Sequence, residues 1–334
     1  MTLSKIKSRL IRFRPAQPPV VLLGARRGGT TMAAGAMANQ PGVWFADEPF
    51  AVYPNRSRYA LRARMLPQAM HSQFFELGGS DLDAFETYAR ALLAARLPGI
   101  GTARFTKPLL RADRVALKVL NAPWMAEWFR DRTDAWPLVL LRHPGAQAVS
   151  VLRQNWGFGL EAYLARPESL EARFTAAQID AVRAAWDSED RWRIAVADWI
   201  VMTAPLRALR GPRVLQTRYE GIVRDPVAFV DDVLIGTLGF DGAAGSRQRM
   251  LDALLNPSES SGMSTEAGRA RIAARDVDAL IDSWRGRVSE EQHGQGQALL
   301  DAFEIDEYRF GLDRGPARDD GDGEDDDRPE TLAA

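Results

Sequence analysis

Four short stretches carry side chains whose types and spacing could do chemistry. The first is Gly24-Ala25-Arg26-Arg27-Gly28-Gly29-Thr30-Thr31. Glycines let a backbone turn tightly and approach an anion, and the amides that open a following helix point at the same spot. Aligned on the Walker pattern, Gly24 and Gly29 take the two glycine positions, Thr30 stands where the phosphate-binding lysine would be, and positive charge sits earlier, at Arg26 and Arg27. The stretch therefore reads as a phosphate cradle for a ligand other than ATP with magnesium. The second is Arg142-His143-Pro144, with Ser150 eight residues after the arginine, about two helical turns on. The third is Lys118, one charge inside Val115-Ala116-Leu117-Lys118-Val119-Leu120 in a chain with four lysines, which suggests a need for a compact ammonium. The fourth is Asp47-Glu48-Pro49-Phe50, carboxylates at the end of an apolar run.

The elements that must position these groups are legible as hydrophobic runs. Val20 to Leu23, Val43 to Ala46, Val115 to Leu120, Leu138 to Leu141 and Arg213 to Arg218 read as strands, the first four nearly continuous in apolar residues as in a sheet covered on both faces. Met32 to Met37, Trp124 to Phe129 and the segment after Pro144 read as helices between them, with Pro144 at a first helical position. One long amphipathic helix carrying Trp186, Trp192 and Trp199 is expected before the last strand. Segments 57–77 and 81–97 have helical spacing and look like an inserted pair. Alternation of this kind predicts an α/β fold of three α/β/α layers on a central parallel sheet, with the chemistry at the strand ends.

Composition narrows the classes. With 334 residues, 46% hydrophobic, the chain can bury one large core, divided here as a basic segment 1–18, a domain 19–312 with the 57–97 insertion, and an acidic tail 313–334 expected to be disordered. The absence of cysteine excludes disulfides and thiolate metal sites, and His71, His143 and His293 lie too far apart in sequence to suggest zinc. Residues 319–334 hold eight acids and one arginine, so the rest of the chain is net positive, but five of those positive charges fall in the first fourteen residues. The folded body is then near neutral, which argues against a nucleic-acid surface. No apolar run reaches the length of a membrane span, and no long apolar segment follows the N-terminal basic residues, so a soluble cytoplasmic protein is expected.

In register, these motifs resemble sulfotransferases that use 3′-phosphoadenosine-5′-phosphosulfate, and the resemblance runs from about residue 19 to 240. The Arg26-Arg27-Gly28-Gly29-Thr30-Thr31 loop is similar to that family's 5′-phosphosulfate loop, and Arg142 with Ser150 to its 3′-phosphate pair. Arg218-Tyr219-Glu220-Gly221-Ile222-Val223-Arg224-Asp225-Pro226 is similar to its Arg-Tyr-Glu-Asp-Leu-x-x-Asp-Pro segment, with Gly221 in place of Asp.

The resemblance implies a P-loop-like nucleotide-binding fold and a metal-independent transfer of a sulfuryl group to a hydroxyl of a small-molecule, lipid or glycan acceptor. It implies nucleotide contacts from Arg26, Arg27, Gly28, Gly29, Thr30, Thr31, Arg142, Ser150 and Tyr219, and a catalytic set of Glu48, Arg27 and Lys118. Lys118 is not followed by the Lys-x-His histidine of cytosolic members, whereas Glu48-Pro49-Phe50 resembles the segment that carries the glutamate base of glycan-type and many bacterial members. Asp47 competes with Glu48 for that role. Arg27 would stabilise the leaving bridging oxygen by charge, since a guanidinium does not act as an acid. The Asn256 to Gly262 loop, followed by Arg269 and Arg271, is the candidate for a C-terminal share of the 3′-phosphate site. His143 reads as a structural neighbour, the tryptophans mostly as core, and Trp44 and Trp156 as the better pocket candidates. Two rival readings are a nucleotide or small-molecule kinase, against which the missing Walker lysine and strand-end carboxylate count, and a non-catalytic bisphosphonucleotide-binding protein.

Overall fold

The computed structural model describes residues 15–51, 66, 77–97, 112–155, 157–256 and 266–311. Trp156, the loop 257–262, most of segment 57–77 and the tail 313–334 lie outside the described residues. Five strands, β1 (Val20–Gly24), β2 (Val43–Asp47), β3 (Arg114–Val119), β4 (Trp136–Leu141) and β5 (Leu215–Arg218), pair in the order β2-β3-β1-β4-β5, every neighbour parallel. Parallel strands need crossover connections, which lay helices on both faces and explain why the strand sequences are apolar throughout.

Side chains alternate along each strand, so each row of every second residue belongs to one face. Val20, Leu22, Val43, Phe45, Ala116, Leu138 and Leu140 form one face and pack on α1 (Thr30–Ala38) and α7 (Ala244–Leu255). Val21, Leu23, Ala46, Val115, Leu117, Val119, Val139 and Leu141 form the other, against α2 (Gly79–Leu93), α3 (Ala126–Arg132) and the end of α6 (Arg191–Ala208). The result is a three-layer α/β/α architecture. A third core, mostly helical, joins α4 (Pro144–Arg153), α5 (Ala176–Asp187), the rest of α6, α8 (Glu290–Ala302) and the chain on either side of α8 from Trp284 to Phe310. No helix among the described residues is long and apolar enough to cross a membrane.

Two expectations need correction. The single long helix through Trp186, Trp192 and Trp199 is two helices, α5 and α6, separated at Ser188–Asp190. Glu189 there is left-handed (φ 55°), and the Asp190 carboxylate caps α6 by accepting from the Trp192 amide at 2.8 Å. The Trp124–Phe129 helix opens as a 3-10 turn over Pro123–Met125. Of the inserted pair only the second helix, α2, falls among the described residues.

Candidate nucleotide-binding and catalytic site

The face that packs on α1 also builds the site. Continuing its rows by one residue pair beyond Leu22, Ala116, Phe45 and Leu140 reaches Gly24, Lys118, Asp47 and Arg142, all at the carboxyl edge of the sheet. Open α/β sheets place ligands at this edge. Both strands beside β1 thus end in a cation rather than in the carboxylate that would hold magnesium in a nucleoside triphosphatase.

Between β1 and α1 the loop 25–29 turns through two left-handed residues, Arg27 (φ 64°) and Gly29 (φ 85°), and the Gly28 amide donates to Ala25 O at 3.0 Å. Such alternation makes a concave run of amides suited to an anion. α1 starts with no side chain capping its amides and no acidic residue in its first turn, so the positive end of its dipole has no compensating group from within the helix. The Tyr219 ring packs directly on Gly29, where any Cβ would collide with it. Thr30 is buried with its methyl toward Gly24, whereas the Thr31 hydroxyl reaches the strand-end lysine.

On the β4 side the loop meets a cluster of cations. Arg27 Nε donates to Ser150 Oγ at 2.9 Å, and Arg142 donates to Arg27 O at 3.1 Å while lying 4.2 Å above the Tyr219 ring. Arg27, Arg142, Ser150 and Tyr219, far apart in sequence, are brought together. Burial, then the charges of Arg142 and Arg153, lower the Arg27 pKa; burial, then Arg287 and Arg142, lower that of Arg153. Among the described residues no carboxylate pairs with Arg142, Arg153 or Arg287. Arg27 and Arg142 are half-buried and Arg153 and Arg287 exposed, so like charges gather at a partly solvated corner where an anion would be favourably received. Arg26 turns the other way: it pairs with the buried Asp198 of α6 at 3.5 Å and donates to Gly157 O.

The β2–β3 side differs. Lys118 Nζ lies 2.9 Å from Asp47 Oδ1 and 3.0 Å from Glu48 Oε1, and donates to Thr31 Oγ1 at 3.3 Å, with 4% of its side chain exposed. Burial alone would lower the Lys118 pKa, but Glu48 and Asp47 more than offset it, so the pKa is raised and the group stays an ammonium. Glu48 is left-handed (φ 48°), a strain of about 1–3 kcal/mol. Two anchors offset it. The Glu48 amide donates to Lys118 O, and Phe50, fully buried, stacks on Phe85 and meets Phe129 edge-on while Tyr88 Oη donates to Pro49 O. Burying a side chain of that size contributes about 1.5–3 kcal/mol.

His143 fixes the start of α4. Its Nδ1 accepts from the Gly145 amide at 3.1 Å, so the proton is on Nε2, which donates to Arg309 O at 2.9 Å. The ring stacks on Trp284 at 4.4 Å, against Tyr308 and Phe310, and its backbone amide donates to Glu220. Burial drives its pKa down to about 3. Among the described residues no group of three or more His, Asp or Glu side chains is arranged to hold a metal ion.

Sequence reasoning missed Arg153, Arg287 and Gln147. Arg153 lies one helical turn past Ser150 and could have been found by that spacing. Arg287 follows Trp284, which packs on His143, and carried no local signal. Gln147 is 4% exposed and brings its side-chain carbonyl oxygen close to Gly28 from α4. Trp44 is packed at the edge of the second sheet face rather than in a pocket.

No protein-family model and no curated protein matches the chain. Solved structures do. The chain is similar to the sulfotransferase domain from the Synechococcus PCC 7002 olefin synthase, at 16% identity over 88% of this chain and 97% of that one, TM-score 0.43. It is also similar to the sulfotransferase domain from the curacin biosynthetic pathway, at 14% identity over 87% and 99%, TM-score 0.44. A third is mouse sulfotransferase SULT7A1 complexed with PAP, at 16% identity over 90% and 89%, TM-score 0.37.

Proposed function

We propose that the protein transfers the sulfuryl group of 3′-phosphoadenosine-5′-phosphosulfate to a hydroxyl of a small-molecule, lipid or glycan acceptor. The observation that carries the reading is the junction of Arg27, Arg142 and Ser150 beside an uncapped helix start. A loop without the Walker lysine, next to the half-buried guanidiniums of Arg27 and Arg142, favours a nucleotide with a second phosphate over a nucleoside triphosphate bound with magnesium.

In this reading Gly28, Gly29, Thr31 and the first amides of α1 hold the 5′-phosphosulfate, and Arg142, Ser150 and Arg153 receive the 3′-phosphate. Arg27 faces both. As the bond from sulfur to the bridging oxygen breaks and the acceptor oxygen bonds to sulfur, negative charge on the bisphosphate is stabilised by Arg27, and the acceptor proton passes to the Glu48 carboxylate. Lys118 orients Glu48. The test is release of adenosine 3′,5′-bisphosphate from the phosphosulfate donor, with a panel of alcohols, phenols and sugars and no divalent ion. Release that depends on an acceptor supports the reading. Binding of the bisphosphate without release on any acceptor class would leave a binding protein instead, and binding of neither nucleotide would overturn it.

A further inference from the structure

The three oxygen atoms around Lys118 match its three N–H donors, and their chemistry is also that of a metal site. In the Walker register Thr31 occupies the Ser or Thr position whose hydroxyl ligates magnesium in nucleoside triphosphatases. Its Oγ1 is here 3.3 Å from an ammonium, and the same nitrogen meets one oxygen each of Asp47 and Glu48 at 2.9 and 3.0 Å. The strand β3, immediately beside β1, is the one whose end faces that hydroxyl, and Asp47 pairs directly across from Lys118 on β2. One hydroxyl and two carboxylates, all hard oxygen donors, converging on one point beside a phosphate cradle are what a divalent ion needs.

We infer that the Lys118 ammonium is a built-in substitute for a divalent cation, seated in a cage of Thr31, Asp47 and Glu48 that would take Mg²⁺ or Mn²⁺ if the lysine were removed. The inference rests on reading the loop as a phosphate cradle, and not on sulfuryl transfer. Its consequence is a change of charge and of mobility. A divalent ion would neutralise the two carboxylates and bridge onward to phosphate oxygens, arriving and leaving with the nucleotide. The ammonium is fixed to the sheet, leaves the cage with one net negative charge, and shuts divalent ions out. This corner therefore does not compete for the phosphates, which fall to the arginines of the other side, and a carboxylate stays beside the cradle.

The test is Mn²⁺ titration followed by electron paramagnetic resonance on the full chain without nucleotide. The wild type should show only the weak Mn²⁺ binding of its acidic tail, whereas Lys118→Ala should bind one further Mn²⁺ at least tenfold more tightly than the tail does, and adding Asp47→Asn to Lys118→Ala should abolish that added binding. A folded Lys118→Ala that binds Mn²⁺ no better than the wild type overturns the inference, and so does Mn²⁺ binding by the wild type that Asp47→Asn removes. If Lys118→Ala does not fold, Lys118→Ser is titrated with Mn²⁺ in thermal melts. A rise in Tm absent from the wild type supports the cage, and no rise refutes it. Nucleotide binding measured on the same samples separates failure of the cage from failure of the cradle.

Discussion

The two sides of the phosphate loop are built from the same materials and balanced oppositely. At the β2–β3 ends one ammonium, Lys118, is held by two carboxylates and a hydroxyl, so its positive charge is more than matched before any ligand arrives. At the β4–β5 ends Arg142 has a carbonyl and an aromatic face, with Arg27 and Arg153 near enough for each to feel other guanidiniums. Guanidiniums gathered at one corner favour an anionic ligand that joins them, whereas an ammonium held by carboxylates is suited to holding a reactive group in place. In the proposed function the arginine side would serve binding and the lysine side positioning and proton transfer.

Substitutions on the two sides should fail in different ways. The largest effect is expected at Glu48: Glu48→Gln should lower turnover by about 10² to 10⁴ while bisphosphate affinity, followed by calorimetry, stays within twofold. Loss of affinity in step with turnover would merge the two sides. Arg142→Ala comes next and should weaken the bisphosphate by about 2–4 kcal/mol, with little change in Tm. An unaltered Kd in that variant would make the arginine corner scaffold. Ser150→Ala should act on the same ligand in the same sense by only about 1 kcal/mol, as for a single hydrogen-bonding hydroxyl.

The start of α4 adds a dependence on acidity. His143 is neutral when folded, with a pKa of about 3, while an unfolded histidine titrates near 6.5. Between those values the unfolded chain binds more protons, so the contribution of the neutral ring is fully present above about pH 6.5 and is lost as pH falls through that window. The slope from this one group approaches about 1.4 kcal/mol per pH unit. Urea unfolding at pH 7 and pH 5 should show that loss in the wild type and a shallower one in His143→Gln. Equal slopes would mean that the ring titrates freely.

How much of this was legible beforehand follows from the range of each interaction. Strands and the loop are local patterns, and the runs Val20 to Leu23 and Leu138 to Leu141 reveal them directly. Lys118 was conspicuous as one charge in an apolar run, but its pairing with Asp47 required the strand order β2-β3-β1, in which sequential strands are not all neighbours. The break between α5 and α6 was hidden because the tryptophan spacing continues across it, and only Asp190 as a cap marks the interruption. Arg287 beside Arg153 and the Trp284–Phe310 clamp on His143 join residues more than 130 positions apart in sequence, beyond any periodicity.

The central claim is that the arginine corner seats a second phosphate. Calorimetry of adenosine 3′,5′-bisphosphate against AMP, on the wild type with chelator and no divalent ion, tests it most directly. A contact worth about 2–4 kcal/mol predicts that the bisphosphate binds roughly thirty- to a thousandfold more tightly, with most of that difference gone in Arg142→Ala. Equal affinities for the two nucleotides would contradict the account.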